Sequence, residues 1–188
     1  MAGIAFEIHP AHVDEDVQGG ESPEAYVMRL AEEKGSAVHS RFPDRIVLAA
    51  DTTVVVDGQI LGKPSDDDDA RRMLRLLRGR AHEVLSGICV IGRAQAQPSD
   101  VNAEAGHDGP GVGGACDVRL ARTSVEFAPL TDDEIDWYVA SGEPMDKAGA
   151  YAIQGLASRF VRRIDGSYSN VVGLPVALVY EMLSSYAC

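Results

Sequence analysis

An ionisable residue lies inside a β-branched apolar run. Residues 46–50 lead into Asp51, and the valines at residues 54–56 continue the run. This pattern predicts a buried strand, in which an ionised carboxylate is costly unless a cation or hydrogen-bond donors meet it. The Asp-Gly pair that follows predicts a turn that returns Lys63 toward the carboxylate. Asp51 therefore either serves metal-assisted phosphate chemistry or is a structural aspartate bonded to backbone N–H groups.

Length, composition and charge predict a soluble globular chain. Its 188 residues are 45% hydrophobic and 24% charged, which suffices to bury a core in one domain or two small lobes. The formal net charge of −12 disfavours binding to duplex nucleic acid, which normally needs a basic face. A small nucleotide remains compatible with this charge, because a few local cations and a metal can hold it.

The cysteines and the chain start bear on the cellular compartment. Cys89, Cys116 and Cys188 are widely spaced without a Cys-x-x-Cys pair, so neither a disulfide framework nor a zinc site is predicted. We expect free thiols in a reducing cytoplasm. Residues 1–6 are too short and too uncharged for a signal peptide, and no apolar run reaches membrane-spanning length. We therefore expect a cytoplasmic protein without a membrane partner.

Sequence periodicity predicts alternating helices and strands. Helices are predicted over residues 23–39, 65–78, 131–141 and 175–186. Strands are predicted over residues 6–9, 45–57, 59–61, 83–91 and 118–127, with a last hairpin over 160–164 and 168–172. The hairpins favour a mixed sheet flanked by helices over a purely parallel sheet. Residues 93–115 carry hardly any large apolar side chain and predict a mobile hairpin loop.

Other polar segments offer candidate ligands, although each is also compatible with a solvated loop or turn. The acidic residues 14–16 offer oxygen ligands for a hard divalent cation. Lys147 lies in a loop rich in small residues, from which it can reach a phosphate. The amide of Gln154, next to a glycine, offers both a donor and an acceptor to a base edge. Lys34, in the last turns of the first long helix, would ordinarily be a solvated charge.

Eight blocks carry a family resemblance when they are taken together and in order. They are Ala49-Ala50-Asp51-Thr52, Leu61-Gly62-Lys63-Pro64, His82-Glu83-Val84, Ser141-Gly142-Glu143-Pro144, Asp146-Lys147-Ala148-Gly149-Ala150-Tyr151, Ile153-Gln154-Gly155, Gly166-Ser167-Tyr168 and Val172-Gly173-Leu174-Pro175. This series resembles the Maf family of nucleoside triphosphate pyrophosphatases, also known as septum formation inhibitors. The resemblance runs from about residue 3 to residue 186, and the block containing Gln154 looks more like the branch that prefers dTTP and UTP.

The resemblance implies an activity and the residues that carry it. The implied reaction is hydrolysis of a nucleoside triphosphate of the dTTP/UTP type to the monophosphate and diphosphate. Asp51 would be the catalytic proton acceptor and would hold Mg²⁺ or Mn²⁺ together with Glu15. The implied substrate-binding residues are Lys34, Lys63 and Lys147 around the triphosphate, and Thr52 and Gln154 at the base. A pyrimidine nucleotide is the expected partner, and a homodimer stays open.

The resemblance also implies a fold. We expect an α/β protein with a mixed, twisted sheet flanked by helices around a central cleft, similar to the Maf and inosine triphosphatase folds. The whole chain, residues 1–188, would form a single Maf-like domain. Residues 93–115 would be an insertion longer than the family norm, at the tip of a hairpin that tolerates extra length.

The beginning of the chain departs from the family pattern. Family members start with an apolar strand and a Ser-x-Arg-Arg loop, whereas this chain starts inside or just after the helix that follows them. A late start codon, a truncation or a damaged member would each explain the difference. Loss of the strand and of arginines that grip phosphate predicts a chain that is poorly active and less stable as written.

Two other functions compete with the pyrophosphatase interpretation. A catalytically weak nucleotide-binding or cell-division regulatory protein would bind nucleotide without releasing diphosphate. A haloacid-dehalogenase-type phosphatase would also place a nucleophilic aspartate after an apolar strand. That chemistry needs Asp-x-Asp, and Thr53 occupies the second position here.

Overall fold

A computed structural model describes residues 3–92 and 115–186. Five α-helices lie in these ranges: α1 (Pro23–His39), α2 (Asp67–Leu77), α3 (Asp132–Val139), α4 (Tyr168–Val172) and α5 (Val176–Ser184). Five strands accompany them: β1 (Val47–Val56), β2 (Gln59–Leu61), β3 (Ala81–Gly92), β4 (Ala115–Phe127) and β5 (Val161–Asp165). Short 3-10 turns cover Glu143–Asp146, Ala148–Ala150 and Leu156–Phe160.

The five strands form one sheet in the order β2-β1-β3-β4-β5. Helices flank this sheet, so the predicted α/β class is confirmed. Every strand pairing within residues 3–92 and 115–186 is antiparallel. The sheet is therefore antiparallel over these residues rather than mixed. Consecutive strands lie side by side except for β2 and β3, since β3 pairs with β1.

Both faces of the sheet are covered, which explains the continuous apolar runs in β1 and β3. Val54 and Val84 point to one face and pack with α2, α3 and the 3-10 turns in the largest apolar cluster. Val55 and Leu85 point to the opposite face and pack under α1. Successive strand residues alternate between faces, so a strand buried on both sides needs apolar side chains at nearly every position.

Glycines set how closely α1 approaches the sheet. A side chain at Gly87 of β3 would collide with the backbone of Val27 in α1. A Cβ at Gly35 of α1 would lie 3.1 Å from the sulfur of Cys89 on β3. Helix α1 therefore packs directly against the backbone of β3. This close packing brings Lys34, which precedes Gly35, next to β1.

Two predicted strands are wrong. Residues 6–9 are not a strand, and Phe6 and Ile8 are 78% and 80% exposed. Apolar alternation forms a strand only when a neighbouring strand supplies hydrogen bonds, and none of the described strands pairs with this segment. Residues 168–172 are helix α4, which the Ser167 side chain caps by accepting a bond from the Asn170 N–H, so local capping outweighs strand propensity.

Three further expectations concern described residues, and a fourth concerns residues outside the described ranges. The capping box predicted at Thr131 and Glu134 is present at the start of α3. Cys89 and Cys116 are free thiols, as expected. None of the described helices has the length and apolar character that crossing a bilayer requires. Residues 93–114, which hold nearly all of the predicted hairpin loop, lie outside the described residues, so that prediction stays untested.

We expect one buried histidine to make the fold sensitive to acid. Burial, aided by the charge of Arg80, lowers the pKa of His82 to about 4, and its Nε2 lies 2.9 Å from the Tyr151 hydroxyl. The unfolded chain has the ordinary higher pKa, so stability is complete above about pH 6.5 and falls as the pH drops toward 4. Chemical denaturation should show a loss of about 2 kcal/mol between pH 7.5 and 5 from this residue.

His82→Gln provides the comparison for this expectation. The variant has no titrating ring, so its unfolding free energy should lose about 2 kcal/mol less than the parent's over the same pH interval. Equal losses in the two proteins would show that His82 does not carry the acid sensitivity.

Candidate active site

A cleft in two connected parts lies beside β1. One part has a volume of about 210 Å³ and contains Glu15, Lys34 and Asp51. The other has a volume of about 200 Å³ and is largely walled by apolar side chains. Three residues line both parts and mark their junction: Thr52, Lys63 and Ala148. The predicted site residues on β1 and in the loops are thus brought to one place.

The first part, which we call the acidic part, is built around one ammonium group. Lys34 Nζ lies 2.7 Å from Asp51 Oδ1 and 2.6 Å from Glu15 Oε1. The Asp51 side chain is only 12% exposed and that of Lys34 20%, whereas Glu15 is 57% exposed. The cation that pairs with the Asp51 carboxylate is therefore Lys34. The sequence had instead indicated Lys63, which follows the turn after β1. Lys63 lines the same part of the cleft from its exposed position.

Burial and ion pairing both shift the pKa values of Asp51 and Lys34. Burial raises the pKa of the Asp51 carboxyl, and the Lys34 ammonium opposes this effect only in part. Burial also lowers the pKa of Lys34, but the bonds to Asp51 and Glu15 outweigh it and leave the pKa above its ordinary value. Lys34 consequently stays charged at neutral pH, and Asp51 is a stronger base than a solvated aspartate.

Helix α1 also holds the segment that carries Glu15. The Tyr26 hydroxyl donates to the backbone oxygen of Glu15 at 3.0 Å. Arg29 donates to the backbone oxygen of Asp16 at 3.1 Å and forms an ion pair with Glu21 at 2.7 Å. An extended segment without a strand partner is thus attached to the same helix that supplies Lys34. Helix α1 therefore both supplies Lys34, the partner of Asp51, and holds the segment that carries Glu15, the second carboxylate on Lys34.

The acidic part fits a divalent cation that a substrate helps to bind. Glu15 and Asp51 converge on one positive charge, the Lys34 ammonium, so their oxygens already face a common point. Within residues 3–92 and 115–186, no cluster of three or more His, Cys, Asp or Glu could hold a metal by itself. Mg²⁺ commonly uses one or two carboxylates and completes its shell with water and phosphate oxygens. Glu15 and Asp51 match that donor set.

The second part, which we call the apolar part, lies on the other side of β1. Thr52 follows Asp51 and points to the opposite face, where its hydroxyl donates to the Gly173 backbone oxygen at 3.1 Å. The same hydroxyl lies 2.6 Å from the Ser86 hydroxyl of β3. The apolar wall consists of Val54, Val84, Tyr151, Val171 and Val172. Such a wall can cover the face of a planar ring.

The loop that carries Lys147 closes over this part. Gly149 donates its N–H to the Gly62 backbone oxygen at 3.0 Å, which ties the loop to the segment carrying Lys63. Gly149 has a φ of 67°, and a Cβ there would lie 2.8 Å from Val54, so only glycine fits. Lys147 lines the apolar part and forms an ion pair with Asp146 at 2.6 Å. Lys63 therefore lies at the junction, and Lys147 lines the apolar part from the neighbouring segment.

Gln154 does not line either part of the cleft. Its side chain is exposed, while Ile153 beside it is buried. The assignment of Gln154 to base recognition stays a prediction. Of the seven predicted residues, the structure gathers the other six at the two parts of the cleft.

Glu143 belongs to one of the eight sequence blocks, but the sequence predicted no role for it. Its carboxylate accepts bonds from the Tyr138 hydroxyl at 2.8 Å, the Leu156 N–H at 2.9 Å and the Ala157 N–H at 3.4 Å. It also lies so close to Gly155 that a side chain there would have to displace the Glu143 carboxylate. Glu143 thus joins the loop that carries Lys147 to the segment after Gln154. The sequence could not show this contact, because the partners of Glu143 are as far as 14 residues away along the chain.

We expect Glu143→Gln to weaken both the fold and substrate binding. The amide NH₂ must replace one accepting oxygen, which leaves a backbone N–H facing a donor and costs about 1–3 kcal/mol. The KM for dTTP, the substrate that the family resemblance implies, should rise about tenfold, which corresponds to about 1.4 kcal/mol, because the Lys147 loop loses its anchor. Glu181→Gln, a change at an exposed ion pair with Arg119 outside the cleft, is the matched control. An unchanged KM in Glu143→Gln would contradict this role.

Comparison with known proteins identifies the family of this chain. A sequence model of Maf-like proteins matches residues 1–186. A dTTP/UTP pyrophosphatase of Anaeromyxobacter sp. strain Fw109-5 is 51% identical over 96% of this chain and 79% of its own length. Proteins of the same name from Anaeromyxobacter dehalogenans strain 2CP-1 and Koribacter versatilis are 52% and 44% identical, over 96% and 97% of this chain and 83% and 84% of their own lengths. This chain belongs to the Maf family.

Proposed function

We propose that this chain hydrolyses dTTP and UTP to the nucleoside monophosphate and diphosphate. The observation that carries the proposal is the two-part cleft, with a partly buried carboxylate and ammonium in one part and an apolar wall in the other. A nucleoside triphosphate has the same division into a polyanion and a planar base. The relatives named dTTP/UTP pyrophosphatase support the choice of substrate.

The chain's own residues supply positioning and proton transfer. The base would lie against the apolar wall, so that the triphosphate passes Thr52 and Lys63 toward Asp51. Lys63 and Lys147 would offset the charge of the diphosphate leaving group, since positioning and electrostatics dominate phosphoryl transfer. Asp51 would accept the proton of the attacking water, for which its raised pKa makes it a suitable general base. Lys34 holds this carboxylate in place.

Glu15 and Asp51 are the residues that would hold Mg²⁺ or Mn²⁺. When bound, such an ion neutralises negative charge on the phosphoryl oxygens and lowers the cost of bringing a nucleophile to them. The two carboxylates alone form an incomplete ligand set, so we propose that metal and nucleotide bind together. A cytoplasmic location, a homodimer and a role in septum formation stay predictions.

A nucleotide panel tests the proposed activity. Diphosphate release would be measured for dTTP, UTP, dCTP, dATP and dGTP with Mg²⁺ at equal concentrations. We expect dTTP and UTP to give the highest kcat/KM, with the monophosphate formed in equal amount to the diphosphate. Tight binding of dTTP without diphosphate release would favour the nucleotide-binding alternative. Release of inorganic phosphate in place of diphosphate would contradict the proposed bond specificity and favour phosphatase chemistry.

A further inference from the structure

Two cysteines on neighbouring strands lie close together outside the cleft. Cys89 Sγ on β3 and Cys116 Sγ on β4 are 3.3 Å apart. The strand register places Cys89 opposite Val118, so Cys116 is its diagonal neighbour on the same face of the sheet. Neither cysteine lines either part of the cleft. The proposed hydrolysis therefore does not use them.

The two thiols differ in their access to solvent. Cys89 is fully buried beneath α1, where it packs with Ala31 and Ile91. Burial raises the pKa of the Cys89 thiol, and the hydrogen bond with Cys116 and the nearby charge of Asp117 act in the same direction. Cys116 is exposed. A dissolved oxidant would therefore react first with Cys116. Cys89 lies next to it as a buried, protonated thiol.

We infer that Cys116 and Cys89 form an oxidant-sensitive dithiol, which a hydroperoxide closes to a disulfide. Hydrogen peroxide first oxidises the Cys116 thiol to a sulfenic acid and is itself reduced, with release of one water. The Cys89 sulfur then attacks the sulfenic sulfur and the S–O bond breaks. The departing hydroxide takes the Cys89 thiol proton as a second water. Two thiols lose two electrons in total, and one peroxide gains them.

The packing around the two sulfurs determines which cysteine moves when the disulfide bond forms. A disulfide bond is about 2.0 Å long, so the two sulfurs must approach by about 1.3 Å. Helix α1 packs closely on the Cys89 sulfur, since a Cβ added at Gly35 would lie only 3.1 Å from it. Cys116 is the second residue of β4, and a strand end adjusts more readily than a strand centre. The approach therefore comes from Cys116, along the exposed side of the pair.

Thiol counting tests the inference directly. Cys188→Ser serves as the parent chain, so that only the two proposed thiols remain. After hydrogen peroxide treatment, alkylation under denaturing conditions should find neither thiol, with a mass loss of about 2 Da that dithiothreitol reverses. Proteolysis should yield one peptide pair joined through Cys89 and Cys116. The melting temperature should rise by roughly 5–10 °C, because the bond closes a long loop in the unfolded chain.

Single-cysteine variants of that parent serve as controls for the inferred reaction. With Cys116→Ser, the buried Cys89 thiol should survive the same treatment, and with Cys89→Ser, Cys116 should accumulate as sulfenic or sulfinic acid. Sulfinic acid at Cys116 beside an intact Cys89 thiol in the parent would overturn the inference. So would two intact thiols at a dose that oxidises N-acetylcysteine, or a disulfide between chains.

Discussion

Replacing Asp51 with asparagine is expected to lower kcat for dTTP by at least about a hundredfold, within the range found for removing a positioned acid–base group. The substitution keeps the size of the side chain, and Lys34 retains Glu15 as a partner at 2.6 Å. The melting temperature should therefore change little. Steady-state diphosphate release and a thermal melt, measured on the same preparation, separate the catalytic loss from any loss of folded protein.

Asp57→Asn is the matched control for this experiment. Asp57 lies in the turn after β1, forms an exposed ion pair with Arg80, and has a φ of 51°, which asparagine tolerates well. Its kcat should equal that of the parent. Asp51→Asn with a kcat near that of the parent would remove Asp51 from the mechanism.

Lys34→Met is expected to strengthen metal binding while it weakens turnover. The Lys34 ammonium neutralises Glu15 and Asp51, so its removal leaves two carboxylates that attract a divalent cation. At pH 8 and without nucleotide, the affinity for Mn²⁺ should rise about tenfold, which corresponds to about 1.4 kcal/mol. Electron paramagnetic resonance of free Mn²⁺ measures this directly. The kcat for dTTP should fall by roughly tenfold or more, because Asp51 loses the group that orients it.

Lys63→Met is the comparison for the metal measurement. Lys63 is exposed and lines the same part of the cleft, whereas the ion pair with Asp51 is made by Lys34. Its effect on Mn²⁺ affinity should be much smaller than that of Lys34→Met. Equal effects in the two variants would show that general charge in the cleft, and not the ion pair, governs metal affinity. A lower Mn²⁺ affinity in Lys34→Met would contradict the account.

The sequence predicted that Asp51 needs a cation but did not identify the partner that makes the closest contact. The apolar run around it implied burial, and the structure confirms a 12% exposed side chain. The ion-pair partner is Lys34, whose position depends on how closely α1 rests on the sheet. That approach depends on Gly35 and Gly87, whose small size matters only once the helix and strand are placed together. Local patterns cannot supply such a distance.

The division of the cleft by the two faces of β1 follows from strand geometry. Asp51 and Thr52 are adjacent in sequence and therefore point to opposite faces, so one contacts α1 and the other contacts α4 and β3. Sequence blocks predicted both residues, yet their separation into an acidic and an apolar part required the sheet order. The same limitation applies to Glu143, whose three donors come from two separate segments, α3 and the turn Leu156–Phe160.

The failed strand predictions have a related cause. Alternation at residues 6–9 described a segment that could pair, but pairing needs a neighbouring strand, and none of the described strands supplies it. At residues 168–172 the β-branched content indicated a strand. The cap at Ser167 and the buried Asn170 amide, which donates to Val84 and Thr123, stabilise a helix there instead. Side-chain hydrogen bonds of this kind depend on tertiary context.

The most direct test of the central claim is hydrolysis of dTTP in ¹⁸O-labelled water with Mg²⁺, followed by mass analysis of both products. We expect dTMP and diphosphate in equal amounts, with the label in dTMP because water attacks the α-phosphoryl group. With Asp51→Asn, labelling should be at least about a hundredfold slower. Formation of thymidine diphosphate and inorganic phosphate, or equal labelling rates in the parent and in Asp51→Asn, would contradict the central claim.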